Sequence, residues 1–260
     1  MATGNIDQQD TMLSSDGYSP EPSEDESEES GMSLIEHLEE LRWRIFKSLI
    51  AIAVGAIVAF IFRDYIVEFL KQPLPLHNRK LYLTGITESF TVFLMVSIAA
   101  GFVVALPVLL YQTWAFVSPG LYEKEKKYAV PFIFIGVILF AAGITLGYFV
   151  LKYPVEFLTN FGGESFTEIL TAGSYFGFIS FFILAFGVIF EMPLVLTFLA
   201  YIDVITSKTL QGKRPHVHVG MWIAATIVIP GADPYSPIIL GASMSILYEL
   251  TIVFIKLLKK

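Results

Sequence analysis

The sequence predicts an all-α integral membrane protein with six transmembrane helices, and three observations carry that prediction. Apolar residues make up 55% of the chain and charged residues only 16%, against roughly 25% charged in soluble domains. The apolar residues come in long blocks rather than in alternation. Lysine and arginine gather in alternate connecting segments, as they do on the cytoplasmic side of membrane proteins.

Residues 1–31 stand apart from the blocks. They hold nine acidic residues and no lysine or arginine, so the formal net charge of −7 misdescribes the rest of the chain, which carries 15 acidic against 17 basic residues. The stretch SPEPSEDESEESG has too few large apolar side chains to offset its ordering entropy and is expected to be a disordered tail. It has neither the basic start and apolar core of a signal peptide nor the arginines of a transit peptide, so the first span is expected to serve for targeting. Residues 32–260 form the transmembrane domain. There is no cysteine, which excludes disulfides and thiolate metal sites.

The apolar segments run over about 45–62, 90–117, 129–151, 175–201, 219–230 and 238–255. About 20 helical residues cross a hydrocarbon core of roughly 30 Å, and the first four segments meet that length. Pro107 lies inside the second and is expected to kink or break it. The fifth has only 12 residues, about 18 Å of helix. It either crosses a thinned bilayer or pairs with the sixth as a re-entrant hairpin. The turn-forming PGADPYSP at 230–237 favours two short crossings with a wet tip between them. Outside the first span, DYIVEFLKQPL (64–74) sets Ile66, Phe69 and Leu70 on one helical face and stops at Pro73. It reads as a short helix on the membrane surface or as a plain capping helix. With a cytoplasmic N-terminus, twelve lysines and arginines fall inside and five outside, so both termini are expected in the cytoplasm.

Several polar residues are candidates for function. In SLIEHLEELRWRIF (33–46), Ser33 and Glu36 make a capping-box pattern that starts a helix. Glu36 and Glu40 then lie beside an apolar stripe of Leu34, Leu38, Leu41 and Ile45. The plain reading is a solvated face with Glu40 paired to Arg44. In SPGLYEKEKKYAVP (118–131), interfacial anchoring explains the lysines and tyrosines but not Glu123 and Glu125. Glu191 sits ten residues from the cytoplasmic end of the fourth segment, near mid-membrane, where an acid costs about 2.5–3.5 kcal/mol. Intramembrane acids of this kind are functional candidates, and Pro193 loosens the backbone beside it. Glu249 lies nearer the cytoplasmic end and reads as structural. There is no phosphate-binding glycine loop or metal-ligand pattern, and no cofactor or nucleic-acid partner is expected.

The motifs HLEELRWRIF, QPL, LPVLLYQTWAFVSPGLYEKEKK, FGVIFEMP, KRPHVHVG and IPGADPYS appear in this order. From about Ser33 to Ile255 the chain resembles the TatC family, the polytopic subunit of the twin-arginine protein translocase. The resemblance implies a cup-shaped six-helix protein with short fifth and sixth helices and both ends cytoplasmic. It implies a receptor for twin-arginine signal peptides in a prokaryotic plasma (inner) membrane or a thylakoid membrane. Such a receptor works with single-span TatA- and TatB-type subunits, forms a homo-oligomer within a hetero-oligomeric complex, and moves folded proteins on the proton-motive force. It hydrolyses no nucleotide and is not an enzyme. By motif, Glu40, Arg42, Glu125 and Phe116 take the signal-peptide positions, and Gln112 lies in the same helix as Phe116. Glu191 takes the buried acid, Pro73 the outside proline and Asp233 the acid of the last outside turn. Pro237, in place of the family's usual glutamine, and Gly231–Ala232 depart from the pattern around Asp233.

Two other functions compete. A proton-coupled small-molecule transporter centred on Glu191 predicts solute uptake indifferent to Glu40 and Glu125. A scaffold for partner helices predicts assembly without signal-peptide affinity. The absence of an internal repeat weighs against the transporter.

Overall fold

The structure, a computed structural model, describes residues 34–75, 80–118, 129–162, 169–229 and 233–257. The acidic tail and the segment 119–128, with Glu123 and Glu125, lie outside the described residues. In chain order the helices are α1 (Leu34–Ile61), α2 (Arg63–Leu70), α3 (Glu88–Val117), α4 (Ala129–Val150) and α5 (Lys152–Asn160). They continue with α6 (Ala172–Phe190), α7 (Met192–Tyr201), α8 (Ser207–Gly212), α9 (Arg214–Val228) and α10 (Tyr235–Leu257). Among the described residues, five stretches are long and apolar enough to cross a membrane: α1, α3, α4 with α5, α6 with α7, and α10. Together with α9 they make the expected all-helical membrane fold. The near face carries the start of α1 and the end of α3; the far face carries their opposite ends.

Glycines set how closely the spans approach. Lipid is as apolar as the side chains, so helices in a membrane associate through close packing rather than hydrophobic exclusion. A Cβ on Gly55 of α1 would fall 2.7 Å from the Gly101 oxygen of α3, and one on Gly101 would fall 2.4 Å from the Ala56 nitrogen. Among the described residues of α1, Gly55, Ala56 and Ala59 are buried, and large side chains such as Val54, Ile57 and Ile61 are exposed. On the other side of the molecule, α6 buries Phe176, Ile179, Phe182 and Phe186. Phe186 fits over Gly147 of α4 and Phe190 over Gly143, while Phe140 of α4 fits over Gly187.

The structure differs from the sequence reading in three places. The fourth span is two helices, because Pro193 has no N–H to offer the Ile189 carbonyl and its ring crowds that turn; the break falls at Glu191. The fifth helix has 15 residues, about 22 Å, because it begins at Arg214 rather than at the first apolar residue. Its added turn is polar but joined to α10, as described below. The sixth helix is not short: α10 has 23 residues, about 34 Å. Asp233 starts it early by accepting from the Ser236 N–H (2.7 Å) and hydroxyl (2.8 Å). Of the two readings of α2, the capping helix agrees with the burial of Val67 and Leu70 in the main core. The helix α3 continues through Pro107 without a break.

On the far face the loops are tied to one another. Tyr82 and residues 170–172 form a parallel bridge, with Tyr82 N–H to Leu170 O and Ala172 N–H to Tyr82 O both 2.9 Å. Glu88 reaches across the same junction, taking the Gly173 N–H at 2.8 Å on one oxygen. Its other oxygen accepts from the Thr84 N–H and, at 2.8 Å, from the Thr84 hydroxyl.

Candidate functional site

The near-face site grows from the seam between α1 and α3. The two helices run antiparallel, and Arg44 and Gln112 lie equally far along them from the Gly55–Gly101 contact. The seam therefore brings together residues 68 positions apart in sequence. The Arg44 guanidinium donates to Glu40 Oε1 through Nη2 (2.9 Å) and Nε (3.3 Å), and to Gln112 Oε1 through Nη1 (3.2 Å). Glu40 precedes Arg44 by one turn, the favourable order for such a pair. One turn nearer the chain start, His37 stacks on Phe116 with ring centroids 4.3 Å apart and planes 18° apart. Three of the sequence candidates, Glu40, Gln112 and Phe116, thus meet on one seam.

The carboxylate of Glu40 is only half used. Its side chain is 18% exposed, and Oε2 is shielded with no hydrogen-bond partner among the described residues. An unpaired buried carboxylate oxygen forgoes on the order of 1–3 kcal/mol or more, so it calls for an explanation. A donor arriving from the near face can supply the missing bond.

Arg42 is not part of this cluster. Two residues from Glu40 places it on another side of α1, where it lines a shallow groove of about 310 Å³ with Trp43, Ile45, Phe46 and Leu49. Glu125 lies outside the described residues, nine positions after Phe116 in sequence.

Glu191 sits at the break between α6 and α7. Both its carboxylate oxygens are shielded and without partners among the described residues. Oε2 lies where a Cβ on Gly136 would come within 3.2 Å, beside Leu110 and Leu194. Gly136 and Leu110 are two turns from the near-face ends of α4 and α3, or about 10 Å. The acid therefore lies in the near-face half of these helices, short of their middle.

The far-face candidates have structural explanations. Pro73 has no N–H for the Phe69 carbonyl, so α2 ends there. The hydroxyls of Tyr148 and Tyr175 donate to the carbonyls of Phe69 (3.1 Å) and Leu70 (2.8 Å) respectively. Asp233, 4% exposed, is the α10 cap with both oxygens engaged. On the near face, Glu249 of α10 accepts from Arg214 (2.7 Å) and approaches His218 (3.2 Å), whose Nδ1 is 3.1 Å from the Ser245 hydroxyl. This set fastens the polar turn of α9 to α10. No group of metal-ligating residues exists among the described residues.

Sequence reasoning missed three participants. Arg44 read only as a helix-surface partner of Glu40. His37 carried no signal. Glu88 was not singled out, since it lies outside the second apolar segment.

Comparison with known proteins gives a consistent result. The family profile described as Sec-independent protein translocase protein (TatC) matches residues 36–242. The Sec-independent protein translocase protein TatC of Carboxydothermus hydrogenoformans is 37% identical over 233 residues, covering 89% of this chain and 96% of that protein. The protein of the same name from Aquifex aeolicus is 35% identical over 231 residues, covering 87% of this chain and 95% of its own. A crystal structure of a twin-arginine translocase receptor, TatC, superposes with a TM-score of 0.74 at 34% identity, covering 86% of this chain and all of that one.

Proposed function

The chain belongs to the TatC family of Sec-independent protein translocase proteins, and from that premise we propose how its near face reads a signal peptide. As a family member it is an integral membrane protein and the core subunit of the twin-arginine translocase. The comparisons lend no support to a small-molecule transporter centred on Glu191.

In this reading the near face is cytoplasmic, as the twelve-to-five bias of lysine and arginine favours. One arginine of the signal peptide donates to Glu40 Oε2, and the second to Glu125 on the loop that follows Phe116. The observation that carries the proposal is the shielded, unpartnered Oε2 at an otherwise satisfied seam. Arg44 holds the other oxygen and so fixes which way the free one points. A guanidinium presents a planar fork to such a carboxylate, whereas an ammonium presents a hydrated point charge. That difference selects arginine over lysine. The stacked His37 and Phe116 rings give the flanking residues of the peptide a flat surface. Arg42, on the other side of α1, acts in this scheme by facing a partner helix or lipid headgroups rather than the peptide.

Glu191 is then a polar point along the path of the peptide's apolar stretch. Partner single-span subunits and further copies of this chain complete the translocase, and the proton-motive force drives it. No catalytic step is assigned to this subunit.

The test is site-specific photocrosslinking in sealed membranes. A crosslinking amino acid in place of Phe116 is expected to capture a twin-arginine precursor and not its twin-lysine variant. One in place of Tyr82 on the far face is expected to capture neither. Equal capture of both precursors at Phe116, or none, overturns the proposed site.

A further inference from the structure

A pocket of about 490 Å³ opens on the far face, lined by Tyr153, Glu156, Phe157, Asn160, Phe161 and Tyr235. Its construction is unlike the packing around it. The helix α5 buries Pro154 and Val155 towards the main core. Tyr153, Glu156, Phe157 and Asn160 follow one another at spacings of three, one and three residues, so they form a single stripe on the other side of the helix. The stripe ends on Phe161, whose ring lies 5.1 Å from that of Phe157. Tyr235, at the start of α10, closes the side, its ring 5.5 Å from Phe157 and at 66° to it.

The charges beside the pocket are separated rather than paired. Lys152 and Glu156 are one turn apart and of opposite sign, but the Lys152 ammonium lies over the Tyr153 ring, 4.9 Å from its centroid. Glu156 has no ion-pair partner among the described residues. A carboxylate among several aromatic rings is the chemistry that holds an ammonium group. A lysine one turn away is a site for an anion. The pocket lies where α4 ends and α10 begins, at the level where the apolar spans give way to polar chain.

We propose that this pocket binds the headgroup of a zwitterionic aminophospholipid. The ammonium lies among Phe157, Phe161, Tyr235 and Glu156, and the phosphate beside Lys152. The ligand class follows from the two separated charges: an anionic lipid such as phosphatidylglycerol supplies only the phosphate.

The test uses the detergent-purified full chain and equal amounts of phosphatidylethanolamine and phosphatidylglycerol with identical acyl chains. Native mass spectrometry reads the ratio of the two lipids retained. The unmodified protein is expected to favour phosphatidylethanolamine by roughly fivefold or more. Glu156→Gln is expected to bring the ratio near one, and Glu156→Lys to reverse it. Glu156 is exposed, so neither variant removes a buried contact. Equal retention by the unmodified protein, or a preference that both variants leave intact, overturns the proposal.

Discussion

Two pairs of carboxylates, one pair on each face of the molecule, are held in opposite ways. On the far face, Glu88 and Asp233 each engage both oxygens, and each ties a helix start in place. On the near-face side, Glu40 leaves one oxygen unpartnered and Glu191 leaves two. Arg214 leaves its Nε unpartnered there as well. A folded protein gains nothing in stability from shielded, unused charge. The far-face pair therefore reads as part of a frame, and the near-face pair as groups left for something that arrives later. The helix packing agrees with this division. The helix α6 is wedged between α3 and α4 by large buried rings, whereas the side chains that α1 buries against α3 are small.

The comparison can be broken most severely at Gly101. A side chain there collides with the α1 backbone rather than with a flexible neighbour. Gly101→Val is expected to push α1 off α3, separating Arg44 from Gln112. Overpacking of this kind costs about 1–3 kcal/mol, occasionally more. The expected result is loss of signal-peptide binding with a lowered unfolding temperature in detergent. Retained binding would show that the seam is not the site.

A cleaner separation comes from Glu40→Gln, which removes the charge but keeps the shape. Charge-assisted bonds are worth roughly 1.5–3 kcal/mol, so peptide affinity is expected to fall about tenfold or more. The unfolding temperature is expected to hold or rise, because a poorly satisfied charge has gone. Glu88→Gln on the far face should do the reverse. It weakens the clasp on Thr84 and Gly173, so the unfolding temperature is expected to fall while peptide affinity measured on the folded protein stays unchanged. Smaller still is Tyr175→Phe, which frees the Leu70 carbonyl. A loss of about 1 kcal/mol is expected, read as a modest shift in thermal unfolding with normal transport.

Much of the fold was legible because long apolar blocks leave little choice in a membrane. The first four spans and the helix start near Ser33 came from block length and capping pattern alone. The ends of the last two helices did not. The first turn of α9 is polar, and only its bonds from Arg214 and His218 to Glu249 make it helix within the fold. Those partners are 35 and 31 residues away, beyond any local pattern. The site divided in the same way. The family motif picked out Glu40, Gln112 and Phe116, but only the antiparallel register of α1 and α3 reveals Arg44 as the residue that joins them. The motif singled out Arg42 equally, and helix periodicity turns it away from that seam. Asp233 and Pro73 were expected to be functional, and their geometry is that of a cap and a helix stop.

The central claim is that Glu40 reads arginine as arginine. The most direct measurement is a four-way comparison of affinity: twin-arginine and twin-lysine signal peptides, each against the unmodified chain and Glu40→Gln. The unmodified protein is expected to prefer arginine by about tenfold or more. In Glu40→Gln that preference should shrink markedly, with most of the loss on the arginine peptide. A preference of the same size in both proteins would contradict the account, because the discrimination would then lie elsewhere.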